Sequence, residues 1–464
     1  MKLSREILRL AVPSILANIT VPLVGMVDLA VVGHLPTGSS ASLIGGISIG
    51  TMLFDLLYWN FGFLRAGTGG LTAQAYGQQA AGLGGASVGD ILQRALRIAL
   101  LSGIGLIVLQ WAVVALAFLV VDCSPGVRTL ATQYFHIRIW AAPATLSLFA
   151  FKGWFIGLQD SVRPMTADLL VNGVNIVLSI FLGMELGFVG VALGTVIAQL
   201  SGFLYCVLAA RHRLSLGRKS LILSSLGFSL SADQPKEKKL SGSNTANYST
   251  SDFFTLNRDL FLRSIGLIAV YIGFTVLSAR YGDLMLAVSA ILMKLLMIFS
   301  YFTDGFAYAG EALTGRFIGE RSADGVRATV RQTFAWSAGV AVLFMLLYGA
   351  GGVPLFRLMT SDAAVVDAGR QFLPWLLLMP PIGCAAFVWD GIYIGATVSR
   401  DLRNSCILCA VGFFAVWFAG IALSGGTNVE PAAAIHVLMT AYFTHLAVRT
   451  VYLTLRRKVI FAIV

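Results

Sequence analysis

The sequence is short of charge. Asp, Glu, Lys and Arg make up only 12% of its 464 residues, about half the share usual in a soluble domain. A chain of this length needs a polar exterior to fold in water, so the shortage excludes an ordinary water-soluble enzyme. A 57% hydrophobic content excludes intrinsic disorder as well. Cysteine is also sparse. Five residues are too few for a disulfide framework. Cys406 and Cys409 form a CxxC, but an apolar run follows them and no second pair does. They read as two buried helix residues and not as a zinc or redox site. The five histidines are scattered, which leaves no metal-ligand spacing and no nucleophile–base constellation. A phosphate-binding Gly-rich loop with its lysine is missing, so ATP is not the energy source. Basic stretches interleaved with stacking aromatics are missing too, which excludes nucleic acid as a partner. The expectation is a protein that is not an enzyme and has no cofactor and no resident metal.

What the sequence has in abundance is long apolar runs. Twelve are long enough to cross a bilayer core of about 30 Å. They span 10–33, 42–66, 92–120, 130–156, 163–186 and 189–211, then 257–280, 284–310, 329–352, 367–396, 402–424 and 430–453. The N-terminal MKLSREILRLAVPSILANITVPLV resembles a signal peptide, but it carries Glu6 and has no small-residue cleavage site. It reads as a retained first spanning helix. Between the sixth and seventh runs lies SADQPKEKKLSGSNTANYSTSD, polar and rich in Ser and Lys. The preceding SLILSSLGFSL is apolar but too short to span, and is expected on the membrane surface. The expected fold class is an all-α polytopic membrane protein with twelve transmembrane helices in two six-helix bundles. The expected divisions are an N-terminal lobe at 1–212, a cytosolic linker at 213–256 and a C-terminal lobe at 257–464.

Net charge is +11. Counting loop by loop, 26 Lys and Arg fall on the side of the termini and five on the other: Arg128, Arg138, Arg280, Arg357 and Arg370. The positive-inside rule then puts both termini in the cytoplasm. The halves also repeat. GFLRAGTGGLTAQAYGQ (62–78) resembles GFAYAGEALTGRFIGE (305–320), and GWFIGLQDSV (153–162) resembles GIYIGATVSR (391–400). Six runs separate the members of each pair. An even number gives both repeats one topology, related by a pseudo-two-fold axis along the membrane normal, as in transporters with a substrate path between two bundles.

Polar residues inside the runs mark candidate sites. A carboxylate at the bilayer centre costs about 2.5–3.5 kcal/mol, so it faces protein, water or an ion. In the first run, Ser14, Asn18, Val21, Gly25 and Asp28 share a helix face. Pro13 and Pro22 each remove a helix hydrogen bond and weaken the helix there. Asp28 therefore reads as a proton- or sodium-binding carboxylate beside a hinge. In the fifth run, Asp168, Asn172, Asn175 and Ser179 form a ridge, and Thr195 and Gln199 are one turn apart in the sixth. Such oxygens suit Na⁺ or a hydrogen-bond network around a proton-binding acid. The set Asp28, Asn175 and Thr195 is a candidate Na⁺ site. In the second half, Lys294, Met297, Tyr301, Asp304, Tyr308 and Glu311 share one stripe, and Phe387, Asp390, Tyr393 and Thr397 another. Lys294, Tyr301, Asp304, Asp390 and Tyr393 form a second candidate site, where acids beside aromatics suit an organic cation. Glu311 reads as a helix-end residue in water. Asp55 shares a face with Thr51, Tyr58 and Arg65 and reads equally as an internal network.

The segments AVPSILANITVPLVGMVDLAVVGHL (11–35), DGFAYAGEAL (304–313) and WDGIYIGAT (389–397) together resemble the DinF branch of the multidrug and toxic compound extrusion (MATE) family. The resemblance covers nearly the whole chain. It implies a two-bundle antiporter in the bacterial plasma (inner) membrane, a monomer in the lipid bilayer. Such an antiporter exports organic cations or amphipathic toxins against inward H⁺ or Na⁺. It implies that the key acid is the Asp of the V-D-x-A-x-x-G pattern, Asp28, and that the first-helix kink is Pro13. The family's fifth-helix signature has Asn and then Asp one turn later. Asn175 matches the Asn, but Ser179 stands at the Asp position, which removes a cation ligand and favours H⁺. Thr195 matches the sixth-helix Thr, and Asp390 the tenth-helix Asp of the NorM branch. That branch's seventh-helix Glu has no counterpart here, and Lys294 is outside the family pattern. The rival reading from the same superfamily is a lipid-linked saccharide flippase, which calls for basic residues lining its cavity.

Overall fold

A computed structural model describes residues 2–33, 40–83, 87–121, 123–214, 250–360 and 362–464. The surface segment expected at 220–230 and most of the expected linker at 213–256 lie outside the described residues. Among those described, all regular structure is helical. The first half contains α1 (Lys2–Gly33), α2 (Ser40–Asn60), α3 (Gly62–Ala80), α4 (Val88–Val108), α5 (Gln110–Val120), α6 (Pro125–Arg138), α7 (Ala142–Gly157), α8 (Val162–Leu186) and α9 (Phe188–Leu214). The second contains α10 (Thr250–Ala279), α11 (Asp283–Gly319), α12 (Ala323–Met359), α13 (Ala363–Gly369), α14 (Leu373–Gly395), α15 (Ser399–Leu423), α16 (Pro431–Arg456) and α17 (Lys458–Phe461). Eleven described helical stretches are long and apolar enough to span a membrane. The 32-residue α1 carries the first apolar run of the sequence. The chain is an all-α polytopic membrane protein.

Several of the spans are built from helices in series. The second runs on past Asn60 through a break at Phe61 to Ala80, and the third breaks at Leu109. The fourth passes from α6 to α7 through a short 3₁₀ turn, where Pro143 begins the next helix. Proline at a first helical turn forfeits only an N–H that had no intrahelical partner. The loops close with side-chain caps. The Ser87 hydroxyl accepts from the Gly89 N–H, the Ser322 hydroxyl from Gly325, and the Asp362 carboxylate from Ala364.

The chain divides into two compact units. One is Leu16–Thr250; the other is Ser251–Val464 together with Met1–Ile15. The first fourteen residues of α1 thus pack with the second half. Ser4 donates to Gln332 at 3.1 Å, and Glu6 meets Arg316 at 3.5 Å. Gly305 lies under Ala11 and Ile15. The chain leaves this unit between Ile15 and Leu16, just past Pro13.

Within each unit the repeat returns as one piece of packing. In the first, α7 lies on α3 so closely that a Cβ on Gly153 or Gly157 would strike the backbone at Arg65 or Gly69. In the second, α14 lies on α11 in the same way, with Gly391 over Ala307 and Gly395 over Glu311. Both pairs are spaced i, i+4, which puts them on one helix face. Both helices end alike. Asp160 N–H bonds back to Phe155 C=O at 3.0 Å, and Val398 N–H to Tyr393 C=O at 3.0 Å. The turn residues Gln159 and Thr397 both take a left-handed backbone, φ 62° and 57°. This is the six-to-one closure of a Schellman end, usually made with glycine.

Candidate ion and substrate sites

In the first unit α1, α8 and α9 bring together the four residues singled out in the sequence. Asp28 is 7% exposed, Asn175 1% and Ser179 0%. The Ser179 hydroxyl donates to Asp28 Oδ1 at 2.7 Å. One turn earlier on α8, the Asn175 amide donates to Thr195 Oγ1 at 3.0 Å, and Thr195 donates to the Val191 carbonyl at 3.2 Å. A turn further along the ridge, Asn172 donates to Thr20 Oγ1 at 2.8 Å, which ties α8 to α1 again. The ridge therefore works as a seam, with each polar residue facing a partner on another helix. One atom in it stands out. Asn175 Oδ1 is buried and accepts no hydrogen bond from the described residues. A buried acceptor without a donor suits either the O–H of a protonated carboxyl or a cation.

Beside this seam lies Arg138, which the loop count placed among the residues outside the membrane. It is the last residue of α6, inside the fourth span. Its guanidinium sits 4.7 Å from the Phe54 ring centroid and donates to Tyr134 Oη at 3.2 Å. Its charge reaches both Asp28 and Asp55. Arg138 Nε and Tyr58 Oη are buried donors with no acceptor among the described residues. Pro13 lies half-buried in α1, and the Ser14 hydroxyl donates to the Leu10 carbonyl at 2.9 Å. Pro22 falls within α1 but outside the described side chains. Lys152 and Asp168 form an ion pair between α7 and α8.

The second unit distributes its candidates differently. Asp390, 7% exposed, is clasped by two arginines. Arg449 Nε donates to its Oδ1 at 2.9 Å, and Arg263 and Arg449 both pair with Oδ2. Arg449 is itself 3% exposed and lies 5.9 Å from the Phe387 ring. The charge of Asp304 also reaches Arg449. The structure thus gathers Asp390, Arg449 and Arg263, with Asp304 in range, and Tyr301 half-buried one turn before Asp304. It leaves Lys294 exposed on α11. Tyr393 is fully buried, and its hydroxyl donates to the Leu453 carbonyl at 2.6 Å, a strut between α14 and α16. Glu311 is not a helix-end residue in water. It is 0% exposed, because α11 continues two turns beyond it to Gly319 and α14 covers it at Gly395. Cys406 and Cys409 are buried free thiols, with Cys409 Sγ donating to the Cys406 carbonyl.

A model of the MatE family matches residues 13–181 and 260–416. The chain belongs to the MATE family. DNA damage-inducible protein F of Escherichia coli K12 is 34% identical over 409 residues, covering 87% of this chain and 83% of that protein. The resemblance to the DinF branch is thereby borne out. Protein DETOXIFICATION 44, chloroplastic, of Arabidopsis thaliana is 22% identical over 97% of this chain and 81% of its own. Among solved structures, a MATE in the bent conformation aligns with TM-score 0.79 at 16% identity, over 99% of this chain and 97% of the other. A MOP superfamily transporter from Pyrococcus furiosus, described as having a binding pocket of reverse polarity, aligns with TM-score 0.76 at 16% identity, over 99% and 96%. The fold is that of these transporters, and the chain is a MATE transporter of the multidrug-efflux type.

In this transporter three functional candidates escaped the sequence reading: Arg138, Arg263 and Arg449. All three lie near a span end and were counted as loop charges. A signal was available for Arg449, which interrupts the apolar run around HLAVRTVYL.

Proposed function

We propose that this transporter exports organic cations or amphipathic toxins in exchange for inward H⁺, with Asp28 as the ion carrier. Asp28 alternates between its ionised and protonated forms. Ionised, it is held by the Ser179 hydroxyl and attracts a cationic substrate. Protonated from outside, it loses that attraction and turns its O–H to an acceptor such as Asn175 Oδ1. The substrate leaves as α1 bends at Pro13 or Pro22. The observation that carries the reading is a buried carboxylate whose described hydrogen bond comes from a neutral hydroxyl. Such a group can gain and lose a proton without breaking a fixed ion pair. Relatives solved in bent and straight conformations support a bending transition. Serine in place of a second carboxylate at position 179 favours H⁺ over Na⁺, which would need Asp28, Asn175 and Thr195 as ligands. The driving force is about 2.3 kcal/mol per charge per 100 mV, plus any pH gradient. We place the protein as a monomer in the bacterial inner membrane with both termini in the cytoplasm.

The test is efflux from proteoliposomes with ΔpH and ΔpNa imposed separately. Asp28→Asn is expected to abolish pH-driven export while leaving expression and folding intact. Exchange at the parental rate in that variant would overturn the mechanism. A lipid-linked saccharide flippase is the second reading, favoured by the buried Arg449 and the half-buried Arg263 beside it. The same vesicles test it, since a flippase moves its lipid-linked cargo and not an amphipathic cation.

A further inference from the structure

A groove of about 600 Å³ runs along the second unit between α10 and α15. Leu262, Ile265 and Ala269 line it from α10, and Ile407, Ala410, Phe414 and Phe418 are among its residues on α15. The two helices run parallel and in register. Asp259 meets Ser399 and Arg403, and Gly266 backs onto the Cys406 carbonyl.

The groove has a charged head. On α10, Arg258 precedes Leu262, Ile265 and Ala269 by 4, 7 and 11 residues, so all four lie on one helical stripe. On α15, Arg403 stands in the same relation to Ile407, Ala410 and Phe414. Both apolar stripes thus begin with an arginine, at the same end of the trough. Arg403 Nη1 donates to Asp259 Oδ1 at 2.7 Å and Arg258 lies 3.5 Å from it. Ser399 donates to the other carboxylate oxygen at 3.1 Å. Two guanidinium groups on one carboxylate leave a positive excess. Arg258 is its accessible part, with 63% of the side chain exposed. Arg400 is exposed one turn before Arg403. The other nearby acid, Asp401, is turned to Tyr452 and Arg456 on α16.

The length fits one leaflet. Ile407 to Phe418 is eleven residue steps, about 16 Å of helix, against about 15 Å for half of a hydrocarbon core. We propose that this groove binds one anionic phospholipid, with an acyl chain in the trough and the phosphate on Arg258 and Arg403. Neither feature suffices alone. A bare apolar groove on a membrane protein accepts any acyl chain. A basic headgroup site between helices selects negative charge.

The site can be probed on the full-length protein in detergent by native mass spectrometry. The ligands are phosphatidylglycerol and phosphatidylcholine with identical acyl chains. The wild type is expected to retain one phosphatidylglycerol with about tenfold preference, since one lost charge contact near 1 kcal/mol is severalfold to tenfold in affinity. Arg258→Gln should erase most of the preference, weakening phosphatidylglycerol, with its net negative charge, more than phosphatidylcholine, whose choline already offsets its phosphate. Ala269→Phe, which fills the trough, should weaken both lipids. Millimolar inorganic phosphate should not displace the bound lipid, because it lacks the chain. Equal binding of the two lipids by the wild type, or an intact preference in Arg258→Gln, would overturn the proposal. Arg258 is mostly exposed, so its variant folds even if the groove-filling one does not. An unchanged melting temperature without lipid confirms this.

Discussion

Individual side chains carry the sharpest consequences. Asp390 is the carboxylate shared by two arginines in a nearly dry setting. Removing its charge leaves buried Arg449 facing half-buried Arg263 without their shared counter-charge, so Asp390→Asn should lower stability by about 3–5 kcal/mol. The readout is thermal or denaturant unfolding in detergent. A loss below 1 kcal/mol would mean that water already screens the cluster. The position of Ser179 makes a different prediction. Ser179→Asp places a second acid beside Asp28, and should add a response to ΔpNa in vesicles where the parent is expected to respond only to ΔpH. No sodium response would mean that Ser179 does not stand at a ligand position. At this scale the sequence was partly legible. Asp28, Asn175, Ser179 and Thr195 could be read because helical spacing puts polar residues on one face. Arg263 and Arg449 could not be read as partners of Asp390. They lie 127 and 59 residues from it, and an arginine close to a span end looks the same whether it turns to water or folds inward.

Helices were the most legible elements, because a bilayer demands long apolar runs and little else in the sequence mimics them. All twelve runs correspond to helices within a few residues at most ends. The second and eighth continue well beyond their apolar portions, to Ala80 and Gly319. Those extensions are rich in glycine and small polar residues, so hydropathy ends before the helix does. Their function is close packing. Gly391→Ala would drive a methyl group into the Ala307 backbone, and a carbonyl cannot step aside as a side chain can. A loss of about 1–3 kcal/mol is expected from overpacking, and Gly153→Ala should cost about as much in the other unit. Unfolding measurements on both variants check this. The proposed hinge belongs here as well. Pro13→Ala restores the hydrogen bond to the Arg9 carbonyl. It should slow substrate exchange severalfold in vesicles while leaving equilibrium binding unchanged.

The whole molecule keeps its duplicated origin in matched helix ends and matched glycine contacts, and that much could be anticipated from two pairs of motifs. Orientation is a property of this scale. Arg138, Arg263 and Arg449 lie within spans and so drop out of the loop count, yet the remaining bias stays strongly on one side. A reporter active only in the cytoplasm, fused after Val464, should therefore be active. Silence there with activity at an extracytoplasmic reporter would reverse the topology. The sharing of α1 could not be anticipated, because hydropathy shows one continuous helix and does not reveal which neighbours each end touches. Its first four turns serve the half of the protein encoded last. Severing the gene between codons 214 and 250 therefore does not yield two self-sufficient pieces. The downstream fragment would emerge lacking a wall that only the upstream fragment can supply. Its survival in a cell would depend on co-expression of its twin, a dependence that pulse–chase decay of each fragment alone and together would expose.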